Sequence, residues 1–232
     1  MDNYLYLILN LSSIALPFAF SFEHRVQYFR QFIALLPGIL CAATLFIIHD
    51  IFFTRWGIWG FNSNYLIGKD LLGLPIEEWL FFICIPYCSL FIHYCKEFFS
   101  PQLKLSPVAT KFVVYALLFF LLTTSILNSA NYYTISAFIL AAILIGLAYY
   151  RAPELLSSFL VSYVFILLPF FIINGILTGS FIVGEVVWYN DNHNLGIRMG
   201  TIPFEDMFYG FSLLFIPLYI DREIKLRKNN LA

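Results

Sequence analysis

The chain reads as an all-α polytopic membrane protein of seven transmembrane helices, built as two parallel three-helix repeats joined by a linker helix. Three observations predict it. Hydrophobic residues make up 61% of the 232 positions and charged residues only 12%, against roughly 25% charged in a soluble domain. Seven apolar runs reach or approach spanning length. A polar loop ending in two adjacent acids occurs twice, at a constant offset. With a mean hydropathy of +0.82 and no soluble-looking block, residues 1–232 form a single membrane domain.

The runs fall at about 4–20, 32–53, 76–94, 112–127, 132–150, 155–177 and 204–220. A span needs roughly 20 residues, so the fourth run is the shortest that qualifies. Every backbone amide in hydrocarbon must be paired internally, and these runs do not alternate as barrel strands do, so they predict helices. Met1-Asp2-Asn3 lacks the basic start of a cleavable signal, which keeps the first helix in place. With the N-terminus outside, the inner segments hold Arg25, Arg30, Lys96, Lys104, Lys111, Arg151, Arg222, Lys225, Arg227 and Lys228. The outer ones hold only Arg55, Lys69 and Arg198. That asymmetry satisfies the positive-inside rule and predicts a cytoplasmic C-terminus, with a bacterial cytoplasmic membrane as the expected host.

The repeat sets the domain plan: repeat one over about 1–95, a linker helix over about 111–128, and repeat two over about 132–221. Residues 61–78 and 189–206 share Asn62/Asn190, Asn64/Asn192, Gly68/Gly196, Pro75/Pro203 and Glu77/Glu205, with Glu78/Asp206 a near match. Parallel repeats are related by an axis along the membrane normal, and their interface is the usual place for a site. The two acid pairs are expected to face one another there.

A proline followed by acids is also an ordinary helix start, because negative charge suits the positive end of the helix dipole. Acids at an embedded helix end are nonetheless costly without a partner or a function. Neighbouring positions differ by about 100° around a helix, so only one acid of each pair can point inward. Glu77, Glu78, Glu205 and Asp206 are the candidate catalytic residues, as acid or base. Trp56, Trp59, Phe61, Asn62, Trp188, Tyr189 and Asn190, in the two loops, are candidate substrate-binding residues. Their aromatic rings suit either the interfacial belt or a cavity that stabilises a cation. Asp50 could tune the acids or merely bind Arg55, and the second is the preferred reading. His93 and His193 lack ligand-spaced partners, and Cys84, Cys88 and Cys95 read as buried small apolar residues, so no metal is expected.

Glycine-rich nucleotide loops, a serine elbow and a His-Glu-x-x-His sequence are all missing. No lysine lies within a run, which excludes a retinal Schiff base. No basic patch with interleaved aromatics points to nucleic acid.

The run Trp56-Gly57-Ile58-Trp59-Gly60-Phe61-Asn62 through Pro75-Ile76-Glu77-Glu78-Trp79-Leu80-Phe81-Phe82 resembles the membrane lycopene cyclases of the heterodimeric or fused type. So does its echo from Val187-Trp188-Tyr189-Asn190 to Pro203-Phe204-Glu205-Asp206. That family occurs as two three-helix subunits, as a fused chain, or joined to phytoene synthase. The resemblance implies cofactor-independent cyclisation of the linear ends of lycopene to β-ionone rings, giving γ-carotene and then β-carotene. It implies a lipid-soluble carotenoid substrate, membrane lipid around the protein, and association with other carotenoid enzymes. Glu78 and Asp206 are favoured as the reacting acids, with Glu77 and Glu205 equally eligible. A cyclase of fifty-carbon carotenoids, one with ε or γ rings, and a small proton-coupled transporter are the competing readings. Acids gathered at one end of the bundle argue against the transporter.

Overall fold

The computed structural model describes residues 2–231. Each apolar run becomes a helix: α1 (Leu5–Phe20), α2 (Tyr28–Arg55), α3 (Ile76–Phe99), α4 (Pro107–Leu127), α5 (Tyr132–Arg151), α6 (Pro153–Leu177) and α7 (Asp206–Leu231). The shortest run gains length from its cap. Ser106 accepts the Ala109 amide at 3.2 Å and Pro107 opens the first turn, where its missing amide has no partner to lose. The fourth helix therefore reaches 21 residues.

Among the described residues, six helices are long and apolar enough to cross a membrane. α7 differs: residues 211–218 are all buried, as expected of a helix that is apolar on every side. Beyond Ile220, near the expected end of the second repeat, it continues as a charged helix with Lys225 bridging to Asp221 at 2.7 Å, a spacing that favours helix on an exposed face.

The two halves repeat one packing pattern. α3 lies against α1 as α7 lies against α5, while α2 runs along α7 and α6 along α3. α4 packs on α5. The α2–α7 contact is close because Gly38 has no side chain: a Cβ there would come within 2.7 Å of the Pro217 Cα.

The long loops meet at the end of the bundle where α1, α3, α5 and α7 begin. β1 (Trp59–Phe61) pairs antiparallel with β4 (Val187–Tyr189), with Gly60 opposite Trp188. Those two residues occupy the same place in the two repeats. The flanking bonds keep the symmetry: the Asn62 amide donates to Val186 and the Asn190 amide to Ile58, both at 2.9 Å. A pseudo-twofold axis thus passes through the Gly60–Trp188 pair. Two short hairpins, β2 (Asp70–Leu71) with β3 (Leu74–Pro75) and β5 (Arg198–Met199) with β6 (Ile202–Pro203), deliver each loop to its acids in the same register.

Candidate active site

Pro75 caps α3 in an extended conformation and sets Glu77 and Glu78 in the first turn, aimed in different directions. Glu77 turns back to its own loop, where its Oε1 accepts the Ile67 amide at 2.7 Å. Glu205 does the same in the second half, accepting the Leu195 amide at 2.8 Å and the Thr134 hydroxyl at 2.6 Å. Each of these carboxylates fastens a loop to a helix start. Glu78 and Asp206 instead line one cavity of 430 Å³ between the halves. All four acids are buried, and buried charge is costly unless hydrogen-bonded.

For Glu78 and Asp206, tyrosines supply those bonds. The Tyr6 hydroxyl donates to Glu78 at 2.5 Å. Asp206 accepts from Tyr133 at 2.5 Å and from Tyr189 at 3.1 Å. Burial pushes the Tyr189 phenol, which sits in the loop, well above its ordinary pKa, so it stays a donor at neutral pH.

A third carboxyl completes the group. Asp50, 2% exposed at the end of α2, also lines the cavity. It accepts the Tyr209 hydroxyl at 2.8 Å, while the His49 Nδ1 stands 3.4 Å away. The sequence preferred an Arg55 partner for it; the structure gives it to Tyr209 and the cavity instead. Tyr6, Tyr133, Tyr163 and Tyr209 were not singled out in the sequence either. Only Tyr6 and Tyr133 left a signal, as tyrosines near the start of the helix that opens each half, one position off the constant offset.

Of the loop residues, Trp59, Phe61 and Tyr189 line the cavity. The Trp59 ring stands edge-on to Tyr133 at 5.0 Å and to Tyr209 at 6.2 Å, and Tyr133 stacks on Tyr189 at 5.7 Å. Trp56 is 63% exposed and Trp188 covers Gly60, so neither lines the cavity. Asn62 and Asn190 brace the loops, each accepting the amide two residues on at 3.1 Å. Arg198 pairs with Asp191 at 2.5 Å and lies 5.8 Å from the Tyr189 ring centre. His93 bonds Ser162 at 2.8 Å, away from the acids, and His193 stacks on Tyr132. Cys88 lines the cavity and Cys84 is buried.

Below the acids the walls are mostly apolar, with Ile85, Ile166, Leu213 and Leu214 among them. The arrangement can give a proton from one carboxyl and take one at another. Aromatic faces between them favour a cation, by about 0.5–2 kcal/mol each when desolvated.

The sequence matches the family described as Lycopene cyclase over residues 3–96 and 130–222. The stretch between the two matched parts carries α4. No curated protein and no solved structure matches the chain.

Proposed function

This chain belongs to the lycopene cyclase family of carotenoid cyclases, and we propose that it is a lycopene β-cyclase working by acid–base chemistry in the cavity of Glu78, Asp50 and Asp206. The observation that carries the reading is the meeting of Glu78 and Asp206, one from each repeat, in a single apolar cavity walled by Trp59, Tyr133 and Tyr189.

In this reading Asp50 and Glu78, which line the same apolar cavity, share the proton that is delivered. Glu78 gives that proton to the terminal double bond of lycopene, leaving a tertiary cation. The electron pair of the next double bond attacks it, closes the six-membered ring and moves the cation one carbon outside the new bond. Asp206, its two oxygens fixed by Tyr133 and Tyr189, removes the neighbouring ring proton, and the C–H electron pair becomes the ring double bond. One proton enters and one leaves, so the product is an isomer and no redox partner is consumed. A carboxylic acid is too weak to protonate an alkene in water; desolvation and preorganised faces for the cation supply the difference.

Expression in a lycopene-accumulating bacterium tests this, with pigments separated by chromatography. Conversion to γ- and β-carotene, lost in Glu78→Gln and Asp206→Asn, is the expected result. Unchanged lycopene beside well-inserted wild-type protein refutes it. A fifty-carbon precursor supplied in parallel tests the sibling substrate, and the retained ring type tests the ε and γ alternatives. The basic residues gathered at the far end of the bundle support an N-terminus outside a bacterial cytoplasmic membrane.

A further inference from the structure

The twofold plan of the chain promises two equivalent chambers, and among the described residues the two counterpart places hold a large one and a small one. The large one is the 430 Å³ cavity already described, bounded by α1, α3, α6 and α7. Among the described residues that line it, the exposed ones are Leu16 on α1 and Ile172 on α6, at 65% and 63%. Both helices are spans, so those side chains face lipid, and the cavity opens sideways between them. Pro17 and Pro169 also line it. A proline inside a helix removes one backbone bond and bends the helix, and here one stands in each helix flanking the mouth.

Exchanging the repeats carries α1 to α5 and α6 to α2. The counterpart mouth therefore lies between α5 and α2, where there is a pocket of 90 Å³ lined by Leu45, Phe46, His49, Ser136, Leu140 and Tyr209. It differs from the large cavity in size, being narrowed by specific contacts. His49 is bonded to Ser136 across α2 and α5 at 3.1 Å. Phe46 and Tyr209 meet edge to face at 4.5 Å. Tyr209 holds the place that Phe81 holds in the first half, and its hydroxyl serves Asp50. About two turns further along α2, the Gly38–Pro217 contact draws α2 onto α7.

We infer that the protein has a single working chamber, entered from the lipid between α1 and α6, and that the two ends of its substrate are cyclised in separate visits. The inference rests on the reading of the protein as a lycopene cyclase. Ring closure rearranges one end group of about nine carbons, six in the ring and three methyls, which suits a cavity of this size; pockets that enclose a drug-sized ligand hold about 300–1,000 Å³. The rest of an extended forty-carbon polyene cannot fit, and the mouth between Leu16 and Ile172 is where it leaves the protein. The far end lies in lipid, and at the counterpart place the described residues leave only the 90 Å³ pocket. The half-cyclised product must come out, turn round and return.

Two measurements on the full-length protein in lycopene-loaded vesicles test this. Labelled lycopene is converted at low enzyme, then chased with excess unlabelled lycopene. Free labelled γ-carotene that stays monocyclic through the chase is expected; labelled β-carotene forming undiluted overturns separate visits. For the mouth, Leu16→Trp and Ile172→Trp are expected to slow conversion by about tenfold or more. Ile48→Trp on α2 and Ile143→Trp on α5, equally lipid-facing, should stay within about twofold of the wild type. Mouth variants as fast as these controls, or controls as slow as the mouth variants, overturn the lateral entrance. Wild-type protein that leaves lycopene untouched overturns the cyclase reading itself and this inference with it. Conversion by the wild type with four equal variants overturns the entrance alone.

Discussion

Replacing each acid of the two pairs by its amide, one at a time, separates chemistry from architecture within two adjacent residues. Glu78 and Asp206 face the cavity. Removing a positioned proton donor or acceptor costs about 10²–10⁴ in rate, or roughly 3–5 kcal/mol of transition-state stabilisation. Glu77 and Glu205 face the loops, and the price of their replacement is structural. In each, one carboxylate oxygen accepts a loop amide, and that acceptor survives as the amide oxygen. The other oxygen is buried without a partner. An NH₂ group placed there is a buried, unsatisfied donor costing about 1–3 kcal/mol. At about 2–4 °C per kcal/mol for a chain of this size, the melting temperature of Glu77→Gln and Glu205→Gln should fall by several degrees. Their turnover per folded molecule should stay within about tenfold of the wild type. Pigment conversion in isolated membranes, normalised to folded protein by size-exclusion chromatography, reads the first effect; thermal unfolding in detergent reads the second. Folded Glu77→Gln that is as inactive as Glu78→Gln would falsify the division of labour.

Asp50→Asn should fold and lose about tenfold or more in turnover, because Glu78 loses the carboxyl that shares its proton. Tyr209→Phe removes one neutral donor from Asp50 and should cost about 1 kcal/mol, read as a smaller rate loss in the same membranes. Gly60→Ala places a Cβ 2.4 Å from Trp188 Cζ2. The ring must move, and a loss of about 1–3 kcal/mol in stability is expected, relieved in the double variant Gly60→Ala, Trp188→Ala. Hydrogen bonds from Asn194 and then Arg198 hold Asp191 below its usual carboxylate pKa. A group so lowered stabilises the fold above its unfolded pKa and stops doing so as pH falls through the folded one. Asp191→Asn should therefore flatten the acid side of the melting-temperature profile below about pH 4, modestly, because the pair is largely solvated.

The seven helices were legible because hydrocarbon permits little else to a chain of this composition. The doubled loop was legible because matched asparagines, glycines and prolines fix a backbone path by local rules. Which acid of each pair turns inward was not legible: a 100° step says that the two diverge, and only the packing of α1 and α5 decides the direction. Asp50 shows the harder limit. Its partner Tyr209 lies 159 residues away, and nothing around Ile48-His49-Asp50-Ile51 announces it. The inequality of the chambers was equally hidden, since it arises from single residues such as Phe46 and Gly38 within otherwise unremarkable apolar runs.

The Gly60–Trp188 seam has a consequence for how such a chain is put together. An antiparallel pair centred on matched positions is what two identical copies form, an isologous contact in which one surface recognises itself. A half-molecule ending before α4 would keep β1 as an open edge whose natural mate is the β1 of its own twin. Linking the halves through α4 fixes which mate is met, and leaves each half free to diverge from the other.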